Sequence, residues 1–177
     1  MRHVIEPPDR DDALAIGQMQ LAAWLETYPN PAAGIDEQWI RAQRGEPATP
    51  EGAARWREFI ERAADEPEHA FCRVVRRGPR AAIAGVICGS RARPPAEREV
   101  TLGPMYLRAA DQGRGLGRQL MVELLAWAEP DAIVLWATAY NEQALRFYRR
   151  HGFHPTGERE LWRERLPNLR MRRPAAS

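Results

Sequence analysis

Three glycines at alternate positions, Gly113, Gly115 and Gly117, are interleaved and flanked by Gln112, Arg114, Leu116 and Arg118. Glycine lets a backbone bend and approach a ligand closely, so this run exposes several successive N–H groups. A helix starting at Leu116 would aim its unpaired first-turn amides and the positive end of its dipole at the same place. Arg114 and Arg118 add mobile positive charge at the rim. The chemistry fits a pyrophosphate. Two other phosphate motifs do not match: a P-loop would end in Gly-Lys-Ser or Gly-Lys-Thr, and a dinucleotide fingerprint would read Gly-x-Gly-x-x-Gly. The alternative is a tight strand-to-helix connection with no ligand. A second group, Asn141 and Tyr148, lies seven residues apart on one expected helix, nearly on one face, and can point at a single groove. A phenol is protonated at neutral pH and can act as a general acid. The alternatives are a core aromatic for Tyr148 and an N-cap for Asn141, and capping is compatible with a ligand contact.

The elements that must position these residues are legible around them. A strand through Tyr106-Leu107 runs into the glycine turn, which opens an amphipathic helix over Leu116–Ala128 that Pro130-Asp131 ends. Ala132–Thr138 is almost continuously apolar and reads as a central strand buried on both faces. A short helix over 141–150 is closed by Gly152, and 153–160 and 168–173 supply two more strands around a loop containing Pro167. Upstream, Val4-Ile5 forms a short strand. Asp11 or Asp12 caps a helix through Leu14, Met19, Leu21 and Trp24 to about Tyr28, where Pro29-Asn30-Pro31 stops it. An interrupted helical region follows: 36–44, a loop with Pro47 and Pro50, then 51–64 with Trp56, Phe59 and Ile60 on one side. Strands over Ala70–Arg76 and 82–89 and a polar, Pro-rich connection over 91–97 complete the order. The series β, α, α, β, β, β, α, β, α, β, β indicates an α/β sandwich with a mixed sheet.

A chain of 177 residues with 44% hydrophobic residues is expected to be one domain over 1–177. Its 26 basic residues, all Arg, against 24 acidic ones leave +2, too weak a field to suggest nucleic acid. Arg170, Arg172 and Arg173 read as a solvated edge strand or tail. No apolar run approaches the roughly 20 residues of a membrane helix, and 1–12 lacks the apolar core of a secretory signal. A soluble, cytoplasmic monomer or homodimer, without membrane or nucleic-acid partners, is the expectation. Cys72 and Cys88 are too few for a metal cluster and read as buried free thiols; a hairpin about Gly78-Pro79 would set them face to face.

Tyr106-Leu107 followed by Gln112-Gly113-Arg114-Gly115-Leu116-Gly117 resembles the signature of the GNAT superfamily of N-acetyltransferases: Gln or Arg, two residues, Gly, one residue, Gly or Ala. Residues 141–153, with Asn141, Tyr148 and a closing Gly152-Phe153, resemble the family's downstream motif. The resemblance implies a GNAT-type α/β/α sandwich whose mixed, mostly antiparallel sheet splays between the motif strand and the next. It also implies acetyl-CoA as acyl donor, an amine acceptor, direct transfer and no metal. On that pattern Tyr106, Leu107 and Arg108 offer backbone groups to the thioester arm, with Leu107 N–H polarising the carbonyl. Gln112, Gly113, Arg114, Gly115, Leu116, Gly117 and Arg118 would cradle the pyrophosphate, Asn141 would bond the pantetheine arm, and Tyr148 would protonate the leaving thiolate. Ala109-Ala110-Asp111 departs from the Pro-Glu that often follows the strand. Trp24, Glu26 and Tyr28 fall where the family often builds its acceptor pocket, or else are core. Glu99 is the candidate general base, or else a solvated charge in Glu97-Arg98-Glu99. A non-catalytic acyl-CoA-binding or sensor domain is the alternative from another class.

Overall fold

The structure, a computed structural model, describes residues 3–78, 81–93 and 98–176. Pro79 of the expected hairpin turn and residues 94–97 of the expected connection lie outside the described residues. Seven strands form one sheet: β1 (Val4–Glu6), β2 (Ala70–Arg76), β3 (Ile83–Arg91), β4 (Glu99–Leu107), β5 (Ala132–Thr138), β6 (His154–Trp162) and β7 (Leu166–Arg173). Their order is β1-β2-β3-β4-β5-β7-β6, with every neighbouring pair antiparallel except β4 and β5. Helices α1 (Ala13–Thr27), α2 (Glu37–Arg44) and α3 (Ala54–Asp65) precede β2, α4 (Leu116–Ala128) joins β4 to β5, and α5 (Glu142–Arg150) follows β5.

Alternation along the strands divides the apolar residues between two layers. Leu120, Met121 and Leu124 of α4 and Leu145 of α5 meet Val100, Leu102, Ile133 and Leu135 on one face of the sheet. Ile16 and Met19 of α1 and Trp56 and Ile60 of α3 meet Cys72, Val74, Val86 and Cys88 on the other. Full burial of each large side chain contributes about 1.5–3 kcal/mol. The packing of α1 against the α2–α3 connection is set by Gly17, where a Cβ would stand 1.8 Å from the Pro47 carbonyl oxygen. Among the described residues no helix is long and apolar enough to cross a membrane.

Several local expectations change. Asp12 directly precedes α1, yet its carboxylate turns back to the Asp9 amide at 2.8 Å and to Arg76, so it does not cap the helix. Pro167 lies inside β7, where its carbonyl accepts from Ala139 N at 2.8 Å, and the loop is only the stretch between Trp162 and Leu166. The arginine-rich segment is not a sheet edge: β7 inserts between β5 and β6, and Arg170 and Arg172 are paired with Glu99 and Glu158.

Cys72 and Cys88 are paired across β2 and β3, as the hairpin requires, with Sγ atoms 3.5 Å apart; both thiols are free and buried. Burial raises the Cys88 thiol well above its ordinary value, with Cys72 adding to the effect. A protonated, buried thiol is a poor nucleophile. We therefore expect protein purified without reductant to yield two titratable thiols when denatured and almost none on the same timescale when folded. A denatured count of zero would contradict the free state.

Candidate active site

The parallel β4–β5 ladder holds for only three pairs, Glu99 with Ala132, Val100 with Ile133 and Thr101 with Val134. Beyond it, β4 stays with β3, and the register between them slips across Ile87 and Gly89, opposite Gly103-Pro104. A bulge bends its strand, and Pro104 removes an N–H from the ladder. The C-terminal halves of β4 and β5 therefore part. Arg108 N donates to Ala84 O of the β3 side at 2.9 Å, so by alternation Leu107 N–H faces the gap toward β5.

On the α4 side of the gap lies the glycine turn. Gly113 and Gly115 have φ of +74° and +77°, and a Cβ at either would meet nothing within 4 Å. The space over the turn is open, and only the left-handed backbone demands glycine there. Gly115 immediately precedes α4, Leu116 is buried beneath it, and Arg114 and Arg118 are exposed and unpaired among the described residues. The Gln112 side chain works inside the turn: Nε2 donates to Leu107 O at 3.0 Å and Oε1 accepts from Gln143 at 2.9 Å. Behind it, the departure residue Asp111 is buried and receives Arg77 Nη2 at 2.6 Å and His3 Nε2 at 2.8 Å. Arg77, and then His3, hold its carboxyl below the ordinary range against the opposing effect of burial. Arg108 uses its guanidinium on Glu26, with Nη2 2.6 Å from Oε1, and Ala109 N donates to the other carboxylate oxygen at 2.9 Å. Arg108 keeps the Glu26 carboxyl below its ordinary value.

Asn141 caps α5, its Oδ1 accepting from Ala144 N at 3.1 Å, and Gly152, at φ +83°, lets the chain leave that helix. Tyr148, on α5, packs its ring against Phe147 and Phe153. Burial, with Tyr106 adding to it, pushes the Tyr148 phenol above its ordinary value. The Tyr28 phenol is raised for the same reason, by burial first and then by Tyr106 and Tyr148, with Thr138 and Asn141 beside it acting in the opposite sense. Tyr28, Tyr106, Tyr148 and Asn141 thus converge at the gap.

Across from the turn, an aromatic cluster forms from distant segments. Trp24 is buried, 4.5 Å from the Tyr28 ring, 6.4 Å from Tyr106 and 5.6 Å from Trp162. Trp39 meets Trp162 edge-on at 5.9 Å, and Tyr140 Oη donates to Tyr28 O at 2.8 Å. Trp24 and Tyr28 are brought together in this cluster; sequence reasoning missed Trp39, Arg44, Tyr140 and Trp162 beside them, the placement of the Tyr106 ring against Trp24, and the Asp111–Arg77–His3 brace. No spacing signal joins His3 to Asp111 across 108 positions.

Glu99 requires correction. It begins β4, seven residues or about 23 Å of strand from Tyr106. Its carboxylate is held by Arg170 at 3.4 Å and Arg172 at 3.6 Å. From there it cannot reach an amine beside Tyr148.

The acetyltransferase (GNAT) family model matches residues 35–153, more than half of the chain. The chain belongs to the GNAT acetyltransferase family. It is 43% identical over 72 residues to the N-alpha-acetyltransferase RimI of Mycobacterium tuberculosis, a match spanning 39% of this chain and only 42% of that protein. Its fold is shared with the PaiA N-acetyltransferase from Thermoplasma acidophilum, solved in complex with coenzyme A, at a TM-score of 0.79 and 15% identity over 98% of this chain and 99% of that one. A GNAT acetyltransferase from Streptococcus pneumoniae superposes at 0.74, with 16% identity over 99% of this chain and all of that one.

The open turn makes one prediction. Gly115→Val is expected to fold with a loss of about 1–2 kcal/mol, because a β-branched residue is forced to positive φ. Coenzyme A affinity should fall at least tenfold, since the side chain fills the space above the turn. Unchanged affinity in calorimetric titration of the folded variant would reject the turn as the anion cradle.

Proposed function

We propose that this chain transfers the acetyl group of acetyl-CoA directly to an amine, with the glycine turn and α5 on the donor side of the β4–β5 gap and the aromatic pocket on the acceptor side. The observation that carries the reading is the convergence of the Tyr148 and Tyr106 phenols at a gap whose edge presents the Leu107 N–H. The open turn beneath unpaired Arg114 and Arg118 fits a pyrophosphate. Similarity to a protein named for acetylating α-amines favours an α-amine as acceptor.

Acetyl-CoA supplies an activated carbonyl and a thiolate leaving group. Leu107 N–H is positioned to stabilise the oxygen as the amine attacks, because a donor fixed in the strand needs no reorganisation when charge develops. Attack forms the C–N bond, and the C–S bond breaks as the Tyr148 hydroxyl gives its proton to sulfur. The raised phenol is protonated throughout the neutral range, so the acid form is always present. The Asn141 side chain lies beside Tyr28 at the same opening, where its amide can meet the donor's amide arm while its oxygen caps α5. The amine must arrive neutral; the proton it loses on forming the amide passes to water, and water returns one to the Tyr148 phenolate.

Saturating acetyl-CoA, at about 100 times Kd, should raise the melting temperature by about 5–10 °C, from roughly 2.7 kcal/mol of linkage. Absence of any shift would sink the reading; a shift without free-thiol release across a broad amine panel would favour the non-catalytic binding alternative. Tyr148→Phe should lower kcat by about 10²–10⁴-fold while changing coenzyme A affinity less than about threefold. The wild-type rate should show no loss from phenol ionisation up to about pH 10, because the phenol titrates above its ordinary value. Equal rates for mutant and wild type would remove Tyr148 from the chemistry.

A further inference from the structure

The Arg44 guanidinium lies between two indoles, 4.4 Å from the Trp24 ring centroid and 4.4 Å from that of Trp162. The last residue of α2 is thereby clamped by α1 and the end of β6, with water displaced from both of its faces. What the clamp lacks is an anion. The groups that act on Arg44 are the phenols of Tyr106 and Tyr28 and the guanidinium of Arg163, while burial lowers its pKa; no carboxylate of the described residues is paired with it. Arg163 sits 5.5 Å from the Trp162 centroid and brings a second positive charge to the same place. Arg44 Nε and Trp24 Nε1 are buried with no hydrogen-bond partner among the described residues.

Other sheltered arginines of this chain meet carboxylates: Arg76 pairs with Glu6 and Asp12, Arg91 with Asp131, Arg73 with Glu123 and Arg108 with Glu26. A guanidinium stays charged in a protein, and burying one without a counter-ion is unfavourable. Arg44, held between two indoles, meets no carboxylate among the described residues, and it stands in the aromatic cluster beside the phenols of the gap.

We propose that Arg44 is the counter-ion for a carboxylate carried by the acceptor, which makes the substrate class an α-amine whose own molecule bears a carboxylate. A free α-amino acid supplies it at the α-carbon, and a peptide with an acidic first residue supplies it on the side chain. The proposal rests on the acetyl-transfer reading of the same site. With its faces covered and Nε packed away, Arg44 has its terminal nitrogens left to form a two-bond fork with a carboxylate. The Tyr28 phenol, raised by burial, and the Tyr106 hydroxyl stand beside it as hydrogen-bond donors, and Arg163 adds a second positive charge.

The test titrates N-acetylglycine and N-acetylglycinamide, the acid and amide forms of one product-like probe, into the full chain while following tryptophan fluorescence. The titration is run with and without saturating coenzyme A. The acid should bind about 10- to 100-fold more tightly than the amide. Arg44→Gln should reduce that preference to within about threefold, Arg44→Lys should recover part of it, and the coenzyme A melting shift should be the same in all three proteins. Equal binding of acid and amide by the wild type, including no binding of either, overturns the proposal, and this comparison holds even if the variants fail to fold. Acid preference without a coenzyme A shift would instead sink acetyl transfer and leave the anion site standing. Turnover of glycine against glycinamide, and of Glu-Ala against Gln-Ala with both C-termini amidated, then separates the two sources of the carboxylate. Preference in the first pair identifies a free amino acid, preference in the second an acidic peptide terminus, and preference in neither overturns the proposal.

Discussion

The early end of the β4–β5 ladder is the constraint on which the rest of the molecule depends. Only three residue pairs hold the two strands together, and the slip opposite Gly103-Pro104 turns β4 away from β5 while leaving it bonded to β3. Parting two central strands is unfavourable, because backbone groups in the gap lose their ladder partners and must find others. Leu107 O finds one in Gln112, and Gln112 is in turn tied to Gln143 at the start of α5. The gap is thus bridged at its mouth by side chains, while Leu107 N–H faces into it. A fully paired sheet would place a wall between the two helical layers; this one leaves a passage.

The two ends of that passage have different electrostatic characters. The turn end has backbone amides, the start of α4 and two arginines unpaired among the described residues, with the buried carboxylate of Asp111 held behind it by Arg77 and His3. That arrangement keeps negative charge away from the concave side of the turn while anchoring its back to the β1–β2 region. The aromatic end has polar groups that are mainly donors: the Tyr28 phenol, raised by burial first and then by Tyr106 and Tyr148, the Tyr106 hydroxyl, and a clamped guanidinium. The Tyr28 and Tyr148 phenols, raised by burial, stay in their acid form at neutral pH and so do not serve as bases there. The groups around the gap are therefore mainly hydrogen-bond donors, which favour negative charge there.

Most of the architecture was legible because its signals are local. The α4 bounds follow from the glycine turn on one side and Glu129-Pro130 on the other, and the almost unbroken apolar run of β5 reports a strand covered on both faces. Asn141, Tyr148 and Gly152 keep a spacing that one short helix must honour. What failed was anything depending on distance along a strand or on partners remote in sequence. Glu99 lies within the same strand as Tyr106, and sequence proximity concealed that a strand extends about 3.3 Å per residue, so seven residues carry it to the opposite end. Pro167 was misplaced because proline usually marks a loop, whereas here its carbonyl alone serves the structure. The Arg44 clamp joins residues 24, 44 and 162, for which no periodicity exists.

The placement of Tyr106 ties these parts into one device. Its side chain leaves β4 on the pocket side, against Trp24, while the next residue turns its N–H into the gap and packs its side chain with the α4 layer. Period-two alternation permits this division of labour between adjacent residues, and the bulge at Gly103-Pro104 sets which residue faces which layer. A slip of one residue there would bring Leu107 to the aromatic pocket and put the Tyr106 phenol among Leu116, Leu120 and Phe147. The phenol beside Trp24 and the N–H that faces the gap would be lost together. The bulge therefore sets the register as well as the bend, because it fixes which residue of β4 faces the aromatic cluster and which faces the α4 layer.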